Sequence, residues 1–114
     1  MVLAVDIGNT SIVLGGFADN SLQFVARLST DLHGTLDEYA MRISGALALH
    51  GIDKECIRGA IISSVVPPLN ETIKQALRFL FGQEPLIIGP GIKSGICIRC
   101  DMPSSVGADL IEPI

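Results

Sequence analysis

Apolar residues fall in short blocks along this chain, and the spacing inside the blocks changes from one to the next. Val2 to Val5 is wholly apolar and rich in β-formers, and Asp6-Ile7-Gly8-Asn9-Thr10 bounds it. That predicts a strand buried on both faces, followed by a polar turn. Ser11 to Phe17 and Leu22 to Ser29 predict two more strands, and Ala18-Asp19-Asn20-Ser21 between them supplies the turn chemistry of a hairpin. The period then lengthens. Thr35-Leu36-Asp37-Glu38 has capping-box spacing, and Leu36, Tyr39, Ala40, Ile43, Leu47 and His50 recur at helical intervals before Gly51. Gly59 to Val66 predicts another buried strand, stopped by Pro67-Pro68. Asn70 to Phe81 predicts an amphipathic helix with Ile73, Leu77 and Leu80 on one face and Gly82 as its stop. Pro85 to Ile88 predicts a short strand opening into the loop Gly89-Pro90-Gly91, and Ile96 to Arg99 a further extended piece. The order β-β-β-α-β-α-β predicts an α/β fold, a mixed sheet of about five strands with packed helices.

Composition narrows the function. The chain has 114 residues, 48% hydrophobic and 18% charged, enough for a core that buries about two-thirds of the unfolded surface. Eight Lys and Arg stand against 12 Asp and Glu, for a net charge of −4, and Trp is absent. That balance excludes a phosphate-gripping nucleic-acid binder and a stacking platform for single strands. No apolar run reaches the length of a membrane span, and the N-terminus lacks the basic region of a signal peptide. Three cysteines, an odd number, fit reduced thiols in a cytoplasm.

Candidate chemistry concentrates at few places. Asp6 ends a buried strand, which puts its carboxylate at the carboxyl edge of the sheet, where ligands of open α/β sheets bind. Gly8 permits close backbone approach, and Asn9 and Thr10 add donors, so the turn suits phosphate oxygens while Asp6 suits a hydrated Mg²⁺. The same residues also suit an ordinary Asx-type hairpin turn. No Gly-Lys-Ser/Thr follows, so this is not a Walker loop. In Val106-Gly107-Ala108-Asp109, Ser104 or Ser105 can cap a helix and leave Asp109 in its first turn, either as a dipole-favoured surface residue or as a base. Cys97 and Cys100, three apart on an extended piece, point to opposite faces and make a poor chelate, while Asp101 and Pro103 exclude a thioredoxin-type helix start. Lys93 and Arg99 flank the glycine loop and can hold an anion or simply be solvated. Ser63 and Ser64 lie at a strand's carboxyl end on the crevice of Asp6, or satisfy backbone groups there.

Four stretches together are more specific than any one. Asp6-Ile7-Gly8-Asn9-Thr10, Ile62-Ser63-Ser64-Val65-Val66-Pro67-Pro68, Gly89-Pro90-Gly91-Ile92-Lys93-Ser94-Gly95 and Val106-Gly107-Ala108-Asp109 resemble, in order, the motifs of type III pantothenate kinases. The resemblance implies a ribonuclease-H-like, actin-like ATPase domain and ATP-dependent phosphorylation of pantothenate, the first step towards coenzyme A. It implies that Asp6, Ile7, Gly8, Asn9, Thr10, Ser11, Ile12 and Val13 hold the ATP phosphates, with Asp6 near Mg²⁺. Asp109 would be the base for the substrate hydroxyl, and Gly107, Ala108 and Leu110 would line the pantothenate pocket with Cys100. Members of that family are homodimers that also use a monovalent cation, K⁺ or NH₄⁺. On this reading residues 1–114 form the N-terminal nucleotide-binding lobe of a two-lobed kinase, with the second lobe absent from this chain.

Two departures from the pattern fall at positions expected to bind the substrate. Cys100 replaces the tyrosine of a Tyr-Asp-Asn-Pro motif, and Leu110 stands where the family has an arginine for a substrate carboxylate. They leave two alternatives: a non-catalytic relative, like the accessory transcription factors of the Bvg type, or a dimerisation module.

Overall fold

Three consecutive strands open the fold, as the pattern predicts. The computed structural model describes residues 1–88. The elements are β1 (Val2–Ile7), β2 (Ser11–Ala18), β3 (Ser21–Ser29), α1 (Leu36–Leu49), β4 (Gly59–Ser64), α2 (Pro67–Phe81) and β5 (Leu86–Ile88), with a 3-10 turn at Lys54–Cys56 before β4. The glycine loop at Gly89, the extended piece ending at Arg99 and the helix start near Ser104 lie outside the described residues.

Local chemistry explains most boundaries. Asp19 and Asn20, at φ 55° and 63°, make the two-residue turn that joins β2 to β3. Both halves of the capping box form at α1: Glu38 N–H donates to Thr35 Oγ1 at 3.2 Å, and Thr35 N–H donates to Glu38 Oε1 at 2.9 Å. Gly51 and Gly82, just past the two helices, take left-handed φ values of 70° and 73°.

Three boundaries move by two residues or more from the prediction. β1 runs on through Asp6 and Ile7, because both continue the ladders with β2 and β4. β4 stops at Ser64, not Val66, since Ser64 Oγ accepts from Val66 N–H at 2.9 Å and turns the chain. α2 starts at Pro67, not Asn70. Proline there has no N–H to leave unsatisfied and its φ is already helical, so the pair that ends a strand also begins a helix.

The sheet order is β3-β2-β1-β4-β5. β1 is central, antiparallel to β2 and parallel to β4, and β5 is parallel to β4. Both helices pack against one face. Leu3, Val5 and Ile7 of β1, Ile12 and Leu14 of β2, and Ile62 of β4 meet Tyr39, Ile43 and Leu47 of α1 and Leu69, Ile73 and Leu77 of α2, each 2% exposed or less. The opposite face carries a smaller cluster, Ala4 and Val13 backed by Phe17 and Val25. Among the described residues no helix is long and apolar enough to cross a membrane.

Candidate functional site

Three parallel strands end on the same edge of the sheet. The β1–β2 turn, the β4–α2 junction and the end of β5 at Ile88 therefore meet there. This is the carboxyl edge on which open α/β sheets bind ligands.

Asp6 stands one residue before the end of the central strand, in register with Val13 of β2 and Ser63 of β4. Its neighbours Val5 and Ile7 face the helices, so strand alternation turns Asp6 to the opposite face, where it is half-buried. Ser63 shares that face and Ser64 does not. Ser64 is 5% exposed and spends its hydroxyl on Val66 N–H, the backbone-satisfying role weighed for it from sequence.

The turn itself is Gly8-Asn9-Thr10, closed by Gly8 N–H to the Ser11 carbonyl at 3.0 Å. A Cβ at Gly8 would lie 3.1 Å from that oxygen, so close approach rather than unusual φ selects glycine. Asn9 and Thr10 are exposed, and their N–H groups have no partner among the described residues. The side chains of Ile7, Ile12 and Val13 are buried, so these residues reach a ligand only through their backbone. The accessible part of the predicted phosphate turn is thus Gly8 to Ser11. The start of α2 adds a favourable dipole end but few donors, because its first two residues are prolines.

Sequence reasoning missed Thr30. Its Oγ1 donates to the Gly8 carbonyl at 2.7 Å, and its N–H donates to the Thr10 carbonyl at 3.1 Å. Counting back from the two-residue turn at Asp19-Asn20 puts Ser29, not Thr30, opposite Thr10. An irregularity between Gly16 and Phe17, where Gln23 is the extra residue on β3, shifts the register by one and delivers Thr30.

The residue after Thr30 is anchored to α1. Tyr39, fully buried, donates its hydroxyl to the Asp31 carbonyl at 2.7 Å and accepts from Asp31 N–H at 2.8 Å. The Arg42 guanidinium lies 5.2 Å from the centre of the Tyr39 ring and 3.4 Å from Asp31 Oδ2. The Asp31 carboxyl is held below the usual carboxylate range, mainly by the His33 N–H it accepts and, against partial desolvation, by Arg42. A lowered folded pKa means this contribution is present above the ordinary carboxylate value and is lost as pH falls through the folded one. The pair is solvent-exposed, so salt weakens it. Tyr39→Phe leaves both Asp31 backbone groups without this partner, and we expect a loss of about 1–3 kcal/mol of stability in chemical denaturation.

The remaining predicted positions separate into two groups. Cys56 is exposed and forms no disulfide among the described residues, and His50 caps the end of α1 with its ring 5.5 Å from Phe24; no cluster of three metal-ligating side chains occurs among the described residues. Lys93, Cys97, Arg99, Cys100, Gly107, Ala108, Asp109 and Leu110 lie outside the described residues.

A family model described as type III pantothenate kinase matches residues 2–112, which includes every motif quoted above. The chain belongs to the type III pantothenate kinase family. The enzyme of that name from Brevibacillus brevis is 48% identical over 111 residues, covering 97% of this chain and 44% of that protein. Its counterparts from Finegoldia magna and Moorella thermoacetica are 48% and 41% identical, again over 97% of this chain. The chain therefore spans less than half the length of the curated family members it matches. Among solved structures, a ROK hexokinase from Thermus thermophilus superposes with a TM-score of 0.58 at 16% identity, over 77% of this chain and 34% of that one. This likeness supports the actin-like ATPase fold that the family resemblance implied.

Proposed function

We propose that this chain is the N-terminal nucleotide-binding lobe of an enzyme that phosphorylates pantothenate to 4′-phosphopantothenate with ATP. The observation that carries the reading is Asp6 beside an accessible donor turn, at the carboxyl edge, in a chain of this family. In the transfer, the primary hydroxyl oxygen of pantothenate bonds to the γ-phosphorus while the bond to the β-phosphate bridging oxygen breaks. ADP leaves, and the hydroxyl proton passes to Asp109. The loose transition state needs in-line positioning and charge neutralisation rather than covalent help. Gly8 to Ser11 offer the phosphates backbone donors, and Gly107, Ala108, Leu110 and Cys100 line the acceptor's pocket.

The half-buried Asp6 carboxylate suits Mg²⁺, which keeps most of its waters and takes one or two carboxylates together with phosphate oxygens. Bound there, the ion would screen the phosphate charge; Asp6 would be its protein ligand. K⁺ or NH₄⁺, homodimer formation and a cytoplasmic location complete the reading by likeness to the family.

The test is a kinase assay on the protein that carries this chain in its complete reading frame, with Mg-ATP, pantothenate and K⁺ or NH₄⁺. Product formation supports the reading, and its absence under all these conditions overturns the enzymatic part in favour of a regulatory relative. Leu110→Arg refines the test. An arginine there restores a charge-assisted pair worth about 1.5–3 kcal/mol, so the KM for pantothenate should fall by about one to two decades. An unchanged KM would show that Leu110 does not face the substrate carboxylate.

A further inference from the structure

We infer that Thr30 is the positioning residue that sets the phosphate turn, a role that rests on reading this turn as the nucleotide's cradle. A trans peptide unit holds its C=O and the following N–H in opposite directions. No cis bond occurs in the described residues, so fixing a carbonyl fixes the donor behind it. The Thr30 hydroxyl holds the Gly8 carbonyl at 2.7 Å, which aims Asn9 N–H away from β3 and out of the turn. The Thr30 N–H holds the Thr10 carbonyl at 3.1 Å and turns Ser11 N–H away from β3 in the same manner.

One residue thus orients two donors of a turn whose own side chains make no hydrogen bond among the described residues. Its footing is firm: β3 precedes it, and Asp31 after it is clamped between Tyr39 and Arg42 of α1. Preorganised donors cost nothing to orient when a phosphate arrives, so loosening them weakens phosphate binding before it disturbs the fold.

The side-chain half of the device can be removed alone. Thr30→Val keeps shape and backbone N–H and deletes only the bond to Gly8, whereas Thr30→Ser keeps the hydroxyl. In the complete protein, the valine variant should raise the KM for ATP about three- to tenfold, with the KM for pantothenate unchanged within a factor of about two. The serine variant should restore the KM for ATP to within about twofold of the parent. Unchanged KM for ATP in the valine variant, equal rises for both substrates, or no rescue by serine overturns the inference. Where valine does not fold, Thr30→Ala takes its place, and failure of both assigns Thr30 a structural role instead. A parent protein that neither binds Mg-ATP nor turns over overturns the reading of the turn itself, an outcome distinct from any seen only in the variants.

Discussion

Asp109→Asn in the complete protein should lower kcat by about 10²–10⁴-fold, the usual contribution of a positioned general base, with Mg-ATP affinity nearly unchanged. The amide keeps the size and polarity of the carboxylate but accepts no proton, so the loss should appear in chemistry rather than in nucleotide binding. Single-turnover kinetics with ATP pre-bound separate the two. The defect should also persist at saturating pantothenate. A large fall in ATP affinity with intact single-turnover rate would instead place Asp109 at the nucleotide. Because a base supplies only part of the acceleration, a residual rate above the uncatalysed one is expected, set by positioning and electrostatics.

Asp6→Asn should weaken Mg-ATP binding by at least about 100-fold, since loss of a second-sphere partner alone costs a metal site 10–100-fold and Asp6 is assigned to the ion directly. Stability should change far less. Asp6 lies within the central strand and its ladder partners are backbone groups of Val13 and Ser63, which the substitution leaves in place. Calorimetric titration with Mg-ATP beside a denaturant midpoint gives both numbers on one sample. Parallel losses of affinity and stability would make Asp6 a structural residue of the strand end. ATP titrated without Mg²⁺ adds a second check, because the variant should then differ little from the parent.

Much of this architecture was written in local signals. The capping box at Thr35, the Asp19-Asn20 turn and the glycines past each helix involve partners within four residues, so the sequence displays both halves of each interaction. The end of β1 was less legible because a polar Asp6 in an apolar run looks like a terminus; only β2 and β4 on either side show that it is a rung of both ladders. Pro67-Pro68 displays in sequence only what proline forbids, and the helix it permits depends on Val66 turning off the strand. Thr30 was invisible for a different reason. Its hydroxyl partner is 22 residues away, and a single extra residue in β3 decides whether Ser29 or Thr30 reaches it. The motif at Asp6 was recognisable as a pattern, but which of its residues are accessible, Gly8 to Ser11 and not Ile7, Ile12 or Val13, follows from which faces are packed.

The alternation in β1 has a consequence for folding fidelity. Asp6 and Ile7 are adjacent, yet one faces away from the helices near the carboxyl edge and the other lies in the core beneath them. A slip of one residue in pairing would exchange them, burying a carboxylate in the apolar core and exposing an isoleucine. The cost of such a burial is several kcal/mol, comparable to the net stability of a domain this size. Misregistered chains are thus disfavoured by the same residue proposed to hold Mg²⁺, and the charge serves as its own proofreader before any nucleotide is present.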